Sequence, residues 1–197
     1  MRGRGPEGGE LPEATLAAAR SGDMQAFTEI VKHYDRRLRV LAFHLLGDPY
    51  ATDDALQDVY LKAFRGLPDF EGRSSLGTWL TRITYTTCID HLRRTARLVP
   101  VPELEPADRL PEGPDPADDL SDRRCVRDAL RRLPPEQRAV VVLVGVQGLD
   151  YEQAAEVLGV PSGTVASRLS TARRVLRSAL RGEDQQIAVA EREEESS

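Results

Sequence analysis

The sequence predicts an all-α protein of two helical domains joined by an acidic, proline-rich linker. Three observations predict it. Apolar residues recur at three- and four-residue steps through most of the 197-residue chain, which is the period of an amphipathic helix. Capping and breaking residues such as Ser21-Gly22-Asp23, Gly47-Asp48-Pro49 and Gly159-Val160-Pro161-Ser162 punctuate that pattern at helical spacing. Charge is also segmented: the net values are 0 for residues 1–95, −6 for 96–122, +6 for 123–182 and −5 for 183–197. A basic module therefore lies between two acidic stretches, and the first of these carries Pro100, Pro102, Pro106, Pro111, Pro114 and Pro116. These features divide the chain into a disordered N-terminus at 1–10, a helical domain at 11–95, a flexible linker at 96–118, a second helical domain at 119–182 and an acidic disordered tail at 183–197.

A first helix is expected from about Pro12 to Arg20, and Ser21-Gly22-Asp23 breaks it and caps a second that reaches Leu46. In the second helix Phe27, Ile30, Val31, Tyr34, Leu38, Leu41, Ala42 and Leu45 share one face. A third helix, about Ala51 to Leu67, buries Leu56, Val59, Tyr60, Ala63 and Phe64 by the same rule, leaving Asp54, Gln57, Asp58, Leu61, Lys62 and Arg65 facing outward. A loop, Pro68 to Ser74, leads to a segment whose run Ile83 to Ile89 is β-branched enough for a strand. With no second strand-like segment to pair with, it is assigned to a helix. Beyond the linker, helices are expected over Asp119–Arg132 and Glu136–Gly148, with Leu133-Pro134-Pro135 between them. Asp150 and Gln153 have capping-box spacing at the start of a helix over Tyr151–Leu158, Gly159 ends it, and Ser162 caps the last helix.

Composition excludes several function classes. With 40% hydrophobic and 30% charged residues, the chain reads as globular, and its longest apolar run, Ala139 to Val144, is too short for a bilayer. No secretion-signal pattern opens the sequence, so a cytoplasmic location is expected. Cys88 and Cys125 form no Cys-x-x-Cys pair, and the histidines at 33, 44 and 91 are scattered; no metal site, disulfide or cofactor is expected. Neither a phosphate loop nor convergent catalytic carboxylates appear, so the chain is not expected to be an enzyme or to take a small-molecule substrate.

A capped helix, a short turn with Gly159 and an arginine-bearing helix make the layout of a helix-turn-helix reader. On the last helix Val165, Leu169, Ala172, Leu176 and Leu180 form the inward stripe, while Ser167, Thr171, Arg174 and Ser178 lie opposite, where a major groove would meet them. Arg168 and Arg173 flank that face, where phosphates would lie.

The stretch Leu133 to Leu180, with Leu-Pro-Pro-Glu-Gln-Arg and Leu-Asp-Tyr-Glu-Gln-Ala-Ala-Glu-Val-Leu-Gly-Val-Pro-Ser-Gly-Thr-Val-Ala-Ser-Arg-Leu, resembles region four of extracytoplasmic-function sigma factors. Residues Asp53 to Phe64, and Phe70 to Arg94 with Asp-Phe-Glu-Gly-Arg-Ser-Ser and Thr-Trp-Leu-Thr-Arg-Ile, are similar to region two of the same family. The resemblance implies a subunit that carries core RNA polymerase to particular promoters, contacts its β and β′ subunits, helps melt DNA, and is held in check by an anti-sigma factor. It implies that Asp54, Gln57 and Asp58 dock on the polymerase, and Leu61, an apolar residue that helical periodicity leaves on the same outward face, adds to that docking surface. Gly72, Arg73, Ser74 and Ser75 would pocket a flipped minus-ten base, beside the promoter-reading residues Arg82, Tyr85, Thr86, Asp90, Arg93 and Arg94. Ser167, Arg168, Ser170, Thr171, Arg173 and Arg174 would read the minus-thirty-five element. The family often has asparagine at the position of Thr86 and a basic residue at those of Ala166 and Thr171. Fewer cations on the groove-facing helix imply fewer phosphate contacts and weak DNA binding by the isolated domain. A response regulator or repressor also ends in a helix-turn-helix, but residues 12–95 lack the alternating strands and helices of a receiver domain.

Overall fold

A computed structural model of the chain describes the backbone of residues 11–98 and 120–194 and the side chains of residues 11–96 and 125–180. The expectations for residues 1–10 and for the linker from residue 99 onward lie outside these ranges. Every regular element among the described residues is helical: α1 Glu13–Arg20, α2 Met24–Leu46, α3 Pro49–Gly66, α4 Leu76–Leu98, α5 Leu120–Arg131, α6 Pro135–Val140, a π-helical turn Val141–Val146, α7 Tyr151–Leu158 and α8 Ser162–Glu194.

Local chemistry sets the boundaries. The Asp23 carboxylate accepts from the Gln25 and Ala26 amides and starts α2, and the Asp48 carboxylate accepts from the Ala51 amide and starts α3 after Pro49. Asp150 and Gln153 close the expected capping box on α7, and Gly159, at φ 66°, takes the left-handed conformation that ends it at no steric cost. Ser162 departs from expectation. It is the first residue of α8 rather than its cap, and the first turn closes instead on the Pro161 carbonyl through the Thr164 and Val165 amides.

The β-branched segment is helical throughout α4, and the threonines explain how. Thr81 donates to Gly77 O at 2.6 Å, Thr84 to Leu80 O at 2.9 Å, Thr86 to Arg82 O at 3.0 Å and Thr95 to His91 O at 3.0 Å. Hydroxyls bonded back into their own helix let Thr81 and Thr84 be buried without orphaned donors. Gly77 lets α4 approach α2 closely, since a Cβ there would stand 3.0 Å from Tyr34 Cε1.

Two further differences concern the C-terminal half. The expected helix Glu136–Gly148 is split, because the backbone widens after Val140 and the Gln147 amide donates to Val142 O, five residues back. The acidic segment expected as a disordered tail from residue 183 is instead a continuation of α8 to Glu194. Between Glu183 and Glu194 there is neither proline nor glycine, and alanine, glutamate, glutamine and arginine are good helix formers.

Helices α1–α4 pack as one bundle, with α2 against α1, α3 and α4, while α5, α6 and α7 each pack on α8. The two units also touch: α7 lies on α4, and α5, α6 and the π turn lie against α2. Buried residues of both, from Phe27, Leu41 and Leu56 to Leu143, Val157 and Val165, belong to one contiguous apolar cluster. Placing both sets in one dry core is what positions the surfaces described next.

Candidate polymerase-docking and nucleic-acid interfaces

The outward face of α3 is built as its periodicity requires. Leu56, Val59 and Ala63 are buried, and Asp54, Gln57 and Leu61 are exposed on the opposite side. Leu61 is 54% exposed, an apolar residue on a polar face. Asp58 differs from its neighbours: it is half-buried, and His91 Nε2 of α4 lies 3.1 Å from its carboxylate. Asp53 is also occupied, paired with Arg39 of α2, which in addition bonds Asp35 at 3.3 Å. Burial works against the Asp35 carboxylate, but hydrogen bonds from Tyr60, at 2.5 Å, and from Arg39 outweigh it and hold its pKa below the usual carboxylate range. Asp54 has no ion-pair partner among the described residues, so its charge remains available to a partner. Sequence reasoning missed Tyr50, which is 79% exposed at the start of α3. Residues 50, 54, 57 and 61 fall within one narrow sector of a helix, and that spacing was the available signal.

The loop before α4 has mixed duties. Gly72, at φ 71°, turns the chain, and Arg73 extends into solvent with its Nε 2.6 Å from Glu71. Ser74 is half-buried. Ser75 caps α4, its hydroxyl accepting from the Thr78 amide at 3.0 Å. Along α4, Arg82, Thr86, Asp90, Arg93 and Arg94 are exposed. Asp90 pairs with Arg93 at 4.0 Å, whereas Arg94 Nε reaches only the Asp90 backbone carbonyl, at 3.4 Å. Tyr85 stands apart from them. It is 9% exposed, and burial, then Glu136 of α6, raises its pKa, with Arg168 of α8 and Arg93 opposing. A residue expected on the DNA-reading face is thus part of the buried core, close enough to α6 and α8 to feel their charges.

On α8, Val165, Leu169 and Ala172 are buried, while Leu176 and Leu180 are half-buried. Ser167, Ser170, Arg173 and Arg174 are exposed; Thr171 is half-buried. Arg168 is half-buried, and its charge is felt at Tyr85, so it does not simply flank the open face. The thiol of Cys88 is buried and its pKa is pushed up to about 12, which makes it inert at neutral pH, while Cys125 is half-buried. No group of histidine, cysteine, aspartate and glutamate side chains among the described residues could hold a metal ion. No helix there is long and apolar enough to cross a membrane.

An acidic helix face, a cationic helix beside it and a helix-turn-helix in a single chain coincide with family matches in the same order. Residues 30–98 match Sigma-70 region 2, and residues 123–176 match Sigma-70, region 4. The class is therefore the sigma-70 type of transcription initiation factor. The chain is 35% identical over 181 residues to the ECF RNA polymerase sigma factor SigE of Mycolicibacterium smegmatis, covering 88% of this chain and 70% of that protein. It is 40% identical over 165 residues to the ECF RNA polymerase sigma factor SigM of Mycobacterium tuberculosis, covering 83% and 82%. Among solved structures it is similar to CnrH in complex with the cytosolic domain of CnrY, with a TM-score of 0.64 at 27% identity over 86% of this chain and 96% of that one. It is also similar to the sigma factor RpoE in complex with the anti-sigma factor NepR from Bartonella quintana, with a TM-score of 0.66 at 27% identity over 80% and 98%. Within its class this chain belongs to the extracytoplasmic-function sigma factors.

Proposed function

We propose that this chain directs core RNA polymerase to a set of promoters and assists their melting, acting by binding and not by catalysis, in the cytoplasm and under an anti-sigma factor. The exposed face of α3 carries the reading: an unpaired Asp54, Gln57 and the apolar Leu61 share one solvent-facing stripe opposite a fully packed side. Such a mixed stripe suits a basic, partly apolar partner helix of polymerase. In this reading the 72–75 loop captures an unstacked minus-ten base, with Arg82, Thr86, Arg93 and Arg94 along the adjoining strand. Arg174 and Arg173, exposed on α8, read and anchor the minus-thirty-five element together with Ser167 and Ser170. The relative solved with the anti-sigma factor NepR supports an inhibitory partner of the same kind here.

Run-off transcription with core polymerase over a fragmented genomic library tests the reading. Discrete starts that share two upstream elements are expected. Tight sequence-specific DNA binding by the chain without polymerase, and no transcript with it, would favour a repressor instead.

A further inference from the structure

A four-residue network lies between α2 and α3, along one flank of the docking stripe. Arg39 of α2 donates from Nε to Asp35 Oδ2 at 3.3 Å and from Nη2 to Asp35 Oδ1 at 3.4 Å, one turn earlier on the same helix, and from Nη1 to the Asp53 carboxylate of α3. Asp35 in turn accepts from the Tyr60 hydroxyl of α3 at 2.5 Å. Burial, and then the bond to Asp35, raise the pKa of Tyr60, so its hydroxyl keeps its proton and stays a donor. Asp53 and Tyr60 are seven residues apart, two turns along one face, which lets α3 meet the Asp35–Arg39 pair at two points. With its planar fork engaged by both carboxylates, Arg39 holds an orientation that a lysine could not reproduce.

The position of this network matters more than its strength. Arg39 and Asp53 are exposed, and an exposed ion pair contributes little to folding. Residues 50, 54, 57 and 61 form the outward stripe of α3, and at about 100° per residue Asp53 falls on the α2 side of that stripe and Asp58 on its α4 side, where His91 holds it. Asp53 and Asp54 are chain neighbours with identical side chains, so a cation approaching the stripe would meet two equivalent anions unless one were drawn aside. Arg39 draws Asp53 aside. We propose that Arg39 is a specificity-determining positioning residue: by turning the Asp53 carboxylate toward α2 and pairing it, Arg39 leaves Asp54 as the anion that a cationic side chain of the polymerase helix must meet, and so fixes the register in which that helix docks. Specificity of this kind comes from removing a competing contact as well as from making a favourable one. The inference rests on the docking role proposed for α3.

The test is competition by the full chain against a fluorescently labelled sigma factor for core polymerase, with thermal unfolding of each variant alongside. Asp54→Asn should weaken competition roughly tenfold or more. Asp53→Asn, one residue away, should stay within about twofold of the parent, and a loss as large as that of Asp54→Asn would show that Asp53 already meets the polymerase and overturn the proposal. Adding Arg39→Ala to Asp54→Asn should recover at least about threefold of the loss, because the freed Asp53 can take the cation instead, and the recovery should vanish in R39A/D53N/D54N. A merely structural Arg39 gives further loss and no recovery, so R39A/D54N competing no better than D54N also overturns it. If Arg39→Ala does not fold, the Asp53→Asn result decides alone. A parent that fails to compete at all overturns the sigma reading and this inference with it; a parent that competes while the recovery fails overturns only the role given to Arg39.

Discussion

At the scale of single residues, exposure separates groups available to a partner from those the fold has already engaged. Arg174 is exposed on the outer side of α8, so Arg174→Ala should leave the fold intact and weaken use of the upstream element. If it meets a guanine, the loss should be about 1–3 kcal/mol, read as a roughly 5- to 150-fold fall in transcript from the mapped promoter at fixed salt. Unchanged transcript would take Arg174 off the reading face. Arg138 is the opposite case. Replacing it with alanine strips five carbonyls of a charged donor, and a loss of roughly 1–3 kcal/mol in denaturant unfolding is expected. An Arg138→Lys variant should recover little, because one ammonium cannot span two helix ends.

Among the elements, α3 gives the clearest contrast between its two sides. Asp54→Lys reverses charge where nothing inside the chain depends on it, so thermal unfolding should barely move, since surface changes typically shift stability by about 0.5 kcal/mol. Competition for core polymerase should collapse, because like charges juxtaposed at an interface cost several kcal/mol. Asp58→Lys is a less clean reversal, since it also removes the contact with His91. Tyr50→Ala extends the test along the same stripe: a ring 79% exposed contributes little to folding, so a weaker hold on polymerase with unchanged unfolding would place it in the docking surface. Equal competition by Tyr50→Ala and the parent would confine that surface to residues 54–61. Helix α4 carries a different lesson, because its β-branched run takes helical form once threonine hydroxyls bond back to their own turns and α2 offers a face to pack on.

Across the whole molecule, the seam between units should make stability depend on pH. His44 lines it with Phe43, Gly47, Arg127, Leu130 and Arg131, and burial first, then Arg138 and Arg127, lower its pKa below 6.5. The folded state therefore favours the neutral ring. Its contribution is present above the unfolded value of about 6.5 and is lost as pH falls through the lower folded value, since the unfolded chain takes up the proton more readily. Thermal stability should drop as pH falls below about 6.5, and His44→Gln should flatten that drop. Asp35 acts in a lower window: its depressed pKa makes its contribution fade only as pH falls below about 3.8. An undiminished drop in the His44 variant would move the acid sensitivity elsewhere.

Much of the architecture was legible in the order of residues, because local forces act over one or two turns. Asp23, Asp48 and the Asp150–Gln153 box announce helix starts, Gly159 announces a stop, and apolar steps of three and four define the buried sides of α2, α3 and α8. The family and its two regions were legible for the same reason, since their motifs are contiguous. The π turn was hidden because a single widened turn leaves the apolar period of the stretch intact, and the helical course of 183–194 because an acidic composition suits disorder as well as a solvated helix. Asp58 with His91, Arg37 with Gln147 and Arg138 with the end of α2 join residues far apart in sequence. No periodicity encodes such pairs. The chain by itself determined which faces are apolar and which are charged; only the tertiary structure decided that Tyr85 is buried while Asp54 is not, because burial depends on how helices distant in sequence pack together.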